Sequence, residues 1–119
     1  MSKSPMRPDL PLNYKVTVNW SAPYSDTVDP MSDDGERQWL SVVGPMAFAV
    51  ARHLIRDGGG EYEARVLAAS FGPSAGAKRI YASLQRLQRF GLATVYPHVE
   101  GEARRVTVEA VWRRRRAVK

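Results

Sequence analysis

The chain contains no cysteine. That excludes disulfides, a thiolate nucleophile and any Cys-ligated zinc or iron–sulfur centre. No apolar run approaches the roughly 20 residues of a membrane-spanning helix, and residues 1–11 lack the hydrophobic stretch of a signal peptide. A cytoplasmic protein with no membrane partner is expected. The two histidines, His53 and His98, are far apart and have no neighbour at metal-ligand spacing. Dinucleotide, phosphate-loop and serine-hydrolase glycine motifs are all missing. The acidic pairs Asp33/Asp34 and Glu61/Glu63 read as helix-start residues rather than as catalytic dyads. No catalytic residue, cofactor or metal is expected, and the chain is not read as an enzyme. One further absence is local: between Ala77 and Phe90 there is no Asp or Glu at all.

What is present fits one folded domain, with 119 residues of which 44% are hydrophobic. The charge is unevenly placed. Residues 1–60 carry six basic and seven acidic side chains, whereas residues 61–119 carry twelve and five. Nearly all of the net +6 therefore lies in the second half. Clustered Lys and Arg gain free energy by displacing counterions from phosphates, so a polyanionic partner is one reading and a merely soluble basic surface is the other.

Hydrophobic spacing gives the element order. Residues 1–32 read as an N-terminal arm rich in Pro, Ser and Asp, interrupted by a strand at 13–20 where Tyr14, Val16, Val18 and Trp20 alternate with polar residues. Asp33 to Glu36 resembles a capping box opening a short helix with Trp39, Leu40 and Val43 on one face. Gly44-Pro45 restarts the chain into a core helix bearing Ala47, Val50, Ala51 and Leu54, ended by Gly58 to Gly60. Tyr62 marks a very short strand. A helix over 63–71 and another over 77–90 follow, the latter burying Ile80, Leu84 and Leu87. Two strands, 94–99 and 105–112, flank a turn at Glu100-Gly101-Glu102. Residues 113–119 are a basic tail.

From Trp39 to about Val111 the chain resembles the winged helix-turn-helix DNA-binding proteins of actinobacteria and their phages. The likeness is carried by Leu67-Ala68-Ala69-Ser70-Phe71-Gly72 and by the run Leu84 to Ala93, with its Leu-x-x-Leu-x-x-Phe-Gly-Leu-Ala ending. It implies an α+β winged helix-turn-helix domain over 33–112. It also implies that helix 77–90 enters the major groove of double-stranded DNA while the hairpin touches backbone or minor groove. The five residues between Phe71 and Ala77 exceed the three or four of a tight helix-turn-helix.

The residues themselves supply candidate contacts. Opposite Ile80 on a helical wheel lie Lys78, Ala82, Gln85 and Arg89, flanked by Arg79 and Arg86. Ala82 is small enough for close approach, and Lys78, Arg79, Gln85 and Arg86 are able to reach base edges, with Arg89 assigned to phosphate. Ser74 either caps this helix or donates to a phosphate. Arg104 and Arg105 flank the hairpin turn, where Glu100 and Glu102 oppose phosphate binding. Arg113, Arg114, Arg115 and Arg116 read as a phosphate-holding tail, a disordered solubilising tail, or both. The expected function is sequence-specific binding of double-stranded DNA by a bacterial or phage transcription regulator, with a homodimer as an expected form. The alternative is a protein-interaction module in which the N-terminal strand and Trp39 or Trp112 recruit a protein partner.

Overall fold

In the computed structural model, which describes residues 10–22, 25–72 and 75–115, the alternation around Val16 does produce a strand, β1 (Asn13–Asn19). Its inward side chains, Tyr14 and Val16, are buried while Lys15 and Thr17 face solvent. A two-residue strand β2 (Thr27–Val28) leads into helix α1 (Asp33–Val43), followed by α2 (Pro45–Asp57), β3 (Gly60–Glu63), α3 (Ala64–Ala69) and α4 (Ala77–Arg89). The chain ends with β4 (Ala93–Val95), β5 (Arg104–Glu109) and β6 (Trp112–Arg113). Helices α2, α3 and α4 thus pack on a mixed four-stranded sheet of order β3-β1-β5-β4, α1 packs on α2, and β2 and β6 form a separate two-stranded ladder. The class is α+β.

Within the segment assigned to an N-terminal arm, Asn13–Asn19 is part of the sheet. β1 lies inside the sheet, antiparallel to β3 and parallel to β5, so both of its edges are used within the chain. The register aligns Tyr14, Val16 and Val18 with Arg104, Val106 and Val108 on the helix-facing side. The opposite face is polar, with Thr17, Thr107 and Thr94 in one row across three strands. Close backbone contact at the end of α2 helps this insertion. Gly59 has φ +88°, and a Cβ there would lie 2.6 Å from the Val16 carbonyl oxygen, so no side chain fits beside the entering strand.

Three local expectations shift. The N-cap of α1 is Ser32 rather than Asp33: its Oγ accepts from the Gly35 amide at 3.0 Å. Glu36 is therefore one residue too late for a capping box, and it pairs instead with Arg52 at 3.3 Å. The strand expected over 94–99 stops at Val95, with one further bond from the Tyr96 amide to the Arg105 carbonyl. Pro97 has no N–H with which to extend the ladder. The strand expected over 105–112 breaks at Ala110–Val111 into β5 and β6.

The core is built around aromatics at that break. Trp112 and Trp39 meet edge to face with centroids 5.9 Å apart, and Phe48 meets Trp112 at 5.8 Å. Both indoles are essentially inaccessible, Trp39 at 1% and Trp112 at 0% exposure. Their N–H groups donate to backbone carbonyls of Arg113 and Glu109 respectively, which removes the usual cost of burying a polar group. Neither ring is available to a partner, so the protein-recruiting route through Trp39 or Trp112 does not hold, and both edges of β1 are already paired within the chain.

Candidate nucleic-acid interface

Helix α4 turns Ile80, Ser83, Leu84 and Leu87 into the core. The other side, centred on Ala82, is open: Lys78, Arg79, Ala82, Gln85, Arg86 and Arg89 are all exposed. Among the described residues, Lys78, Arg79 and Arg89 make no ion pair or side-chain hydrogen bond, and neither does Gln85. Donors held in water by no internal partner are free to exchange that water for phosphate or base edges. A shallow groove of about 300 Å³ runs along this side, between α4 and the start of α2, lined by Gly44, Pro45, Met46, Arg79, Ala82 and Arg86 among others. The first turn of α2 has no side-chain cap and no acidic residue. The positive end of its dipole therefore adds to the cationic field of the groove.

Arg86 stands apart from its neighbours. Its Nε donates to the Val43 carbonyl at 2.7 Å and its Nη2 to the Val42 carbonyl at 3.1 Å. These are carbonyls of the last turn of α1, which lack intrahelical donors. Arg86 thus ties α4 to the C-terminus of α1 and is engaged where base reading was expected of it. Replacing Arg86 with alanine is expected to lower stability by about 1–3 kcal/mol, the cost of leaving those acceptors short of a charged donor. Denaturant unfolding monitored by circular dichroism measures this, and an unchanged midpoint would disprove the capping role.

The remaining candidates are dispersed. Ser74 and Arg116 lie outside the described residues, and the N-cap position of α4 is held by Gly76, with no side-chain cap bond. Arg105 is exposed, its guanidinium 4.7 Å from the centroid of the Tyr96 ring. Arg113, Arg114 and Arg115 are not a free tail. Arg113 stacks on Trp39 at 5.0 Å and donates to the Phe90 carbonyl. Arg114 pairs with Asp26 at 3.1 Å and Asp34 at 2.6 Å. Arg115 donates to the Gln38 carbonyl at 2.8 Å. The hydrogen bond from Arg114 holds the Asp34 carboxyl below the usual carboxylate range. Each of these three guanidinium groups is thus engaged within the chain, with a residue of α1 in every case.

Arg104 points the other way from Arg105. Strand alternation places it on the helix-facing side of the sheet, in one row with Tyr14 and Tyr62. Its Nη1 donates to the Tyr81 hydroxyl of α4 at 3.2 Å, with the guanidinium 5.6 Å from that ring's centroid. Sequence reasoning placed Arg104 with Arg105 at the hairpin. The signal that separates them was present, because extending the Val106, Val108 alternation one step back puts Arg104 on the buried side.

The phenols in this row titrate late. Burial, then the hydrogen bond that Tyr62 donates to Asp57, pushes the Tyr62 hydroxyl up to about 12 from 10. Burial likewise holds the Tyr14 hydroxyl well above the usual phenol value, reinforced by Tyr81 and opposed by Arg104. Between pH 10 and 12 the native chain therefore keeps a proton on Tyr62 that the unfolded chain has released. Stability due to this group is complete below pH 10 and is lost as pH rises toward 12. Thermal unfolding across that range should show a falling midpoint, shallower in Tyr62→Phe. Identical slopes in the two proteins would contradict it.

Among the described residues there is no group of three or more His, Cys, Asp or Glu side chains placed to hold a metal ion, and no helix long and apolar enough to cross a membrane. No family model matches the chain, and no curated protein matches it. Among solved structures, residues 1–300 of the primosome protein DnaB from Geobacillus stearothermophilus have a similar fold, with a TM-score of 0.53 at 18% sequence identity. The match covers 92% of this chain and 40% of that one, so this chain spans less than half the length of its structural neighbour. At that identity the likeness concerns the fold.

Proposed function

We propose that the chain is a winged helix-turn-helix protein that binds double-stranded DNA with sequence preference, using the outward side of α4 as the reading surface. The observation that carries this reading is the open, acid-free side of α4, on which Lys78, Arg79, Gln85 and Arg89 have no internal partner among the described residues. The element order from α2 onward, helix, strand, helix, helix and hairpin, supports it as the order of a winged helix. In this reading β1 is an additional strand inserted between β3 and β5. Lys78, Arg79 and Gln85 approach base edges, Ala82 allows the helix close to the groove floor, and Arg89 and Arg105 hold phosphates. The groove beside the uncapped start of α2 takes a phosphate against Arg79.

In this reading the chain is a regulator of transcription, a role that a small domain with one exposed reading helix can fill. The fold shared with a primosome protein supports a nucleic-acid setting no further than the fold itself. Selection of bound duplexes from a random-sequence pool tests the proposal. Enrichment of a common motif supports it, and absence of binding to any duplex at low salt overturns it.

A further inference from the structure

At the end of the sheet nearest the hairpin loop lies a second, partly open cavity of about 810 Å³, lined by Leu10, Pro11 and Leu12, by Tyr81 and Arg104, and by Gly101 to Ala103 among others. Volumes of this order are those of small-ligand sites. Its polar groups are poorly served by the protein. Of the five N–H groups of Arg104, one is engaged, with the Tyr81 hydroxyl. Its Nε, enclosed by protein, has no hydrogen-bond partner among the described residues; the Tyr14 hydroxyl, unpartnered as well, lies on the adjacent strand and is not among the groups that border the cavity. Among the described residues no carboxylate lies within ion-pair distance of Arg104. A guanidinium turned toward the core, stacked on one phenol and lacking a counter-charge, gains most from an anion brought to it.

We propose that this cavity is a binding site for a small organic oxyanion, a carboxylate or phosphate monoester on an apolar body. Arg104 is the counter-ion, Tyr81 fixes the plane of the guanidinium, and Leu10 to Leu12 form the wall for the apolar part. Glu102 also borders the cavity, so the acid group seats on Arg104 away from that carboxylate, with the apolar end along Leu10 to Leu12. Tyr81 belongs to α4, one residue from Ala82, and Arg104 begins β5. A ligand seated here therefore touches both the helix and the hairpin assigned to DNA. The site itself rests on neither assignment.

Titrating the ¹⁵N-labelled full chain with octanoate, octyl phosphate and octanol tests it. Octanoate or octyl phosphate should move the amide signals of Leu12, Tyr81, Gly101 and Ala103 saturably, and octanol should not. Whichever anion binds more tightly identifies the headgroup. Arg104→Gln, which keeps an N–H for Tyr81 but removes the charge, should weaken binding about ten-fold or more, the worth of one charge-assisted pair. No saturable shift with either anion in the unmodified protein overturns the proposal whether or not the variant folds. Equal shifts with octanol also overturn it, since they would reveal an apolar hollow indifferent to charge.

Discussion

Replacing Trp112 with alanine is expected to destabilise the chain by about 3–5 kcal/mol. The indole is fully buried, packs edge to face on both Trp39 and Phe48, and donates its N–H to the Glu109 carbonyl at 2.7 Å. Alanine leaves a cavity that Trp39 and Phe48, anchored on different helices, cannot fill by a small shift. It also frees a tether, because β6 is a two-residue strand whose pairing with β2 depends on Trp112 being seated. Domains of this size have total stabilities of about 5–15 kcal/mol, so this one side chain accounts for a substantial share. A drop in thermal midpoint of about 10–20 °C is expected by calorimetry. Trp112→Phe should recover part of the loss, since it restores ring contacts but not the donor. A midpoint within about 2 °C of the unmodified protein would show that the Trp39–Trp112–Phe48 cluster is not the centre of the core.

The second large effect concerns binding. Exchanging Lys78 and Arg79 together for alanine is expected to weaken duplex binding about 100-fold. Both side chains are exposed at the start of α4, and neither has an internal partner among the described residues. Their loss should therefore leave the thermal midpoint nearly unchanged, in contrast to Arg86→Ala. Fluorescence anisotropy at several salt concentrations separates their roles. If both meet phosphates, the salt slope falls by about 2 and all duplexes suffer alike. If Arg79 reads a base, discrimination at one position relaxes while the slope falls by only about 1. Unchanged affinity at every salt concentration would remove α4 from the interface.

Legibility in the sequence differed from element to element for physical reasons. Helices α2 and α4 were readable almost to the residue, because their apolar stripes recur at 3.6-residue spacing and Gly44-Pro45, Gly58 and Gly91 punctuate them. β1 was readable as a strand but not as the interior member of the sheet. Period-two alternation reports which face is buried, and it carries no information on which strands lie alongside. Arg113 to Arg115 looked like an open cationic tail because a run of like charges is ordinarily solvated. Apart from the Phe90 carbonyl, 23 residues back from Arg113, their partners Trp39, Asp26, Asp34 and Gln38 are more than 70 residues away in sequence. The same limit applied to Arg86, whose role depends on two carbonyls 43 and 44 residues earlier. On the open side of α4 the period alone was sufficient, since exposure there follows from the burial of Ile80 and Leu84 on the other side.

The place of β1 also sets the order in which the molecule can assemble. Its parallel partner begins at Arg104, opposite Tyr14, so β1 waits until α1 to α4 have all been made before that ladder can close. Helices α2, α3 and α4 can meet early through local contacts, and β3 can already pair with β1, but the four-stranded sheet is completed only by that long-range pairing, a topology that slows folding. A ribosome-bound chain short of β5 holds Val16 and Val18 without their hydrogen-bonding neighbours Val106 and Val108. Over that interval an apolar strand with one open edge, the edge that β3 does not cover, is exposed to aggregation or chaperone capture.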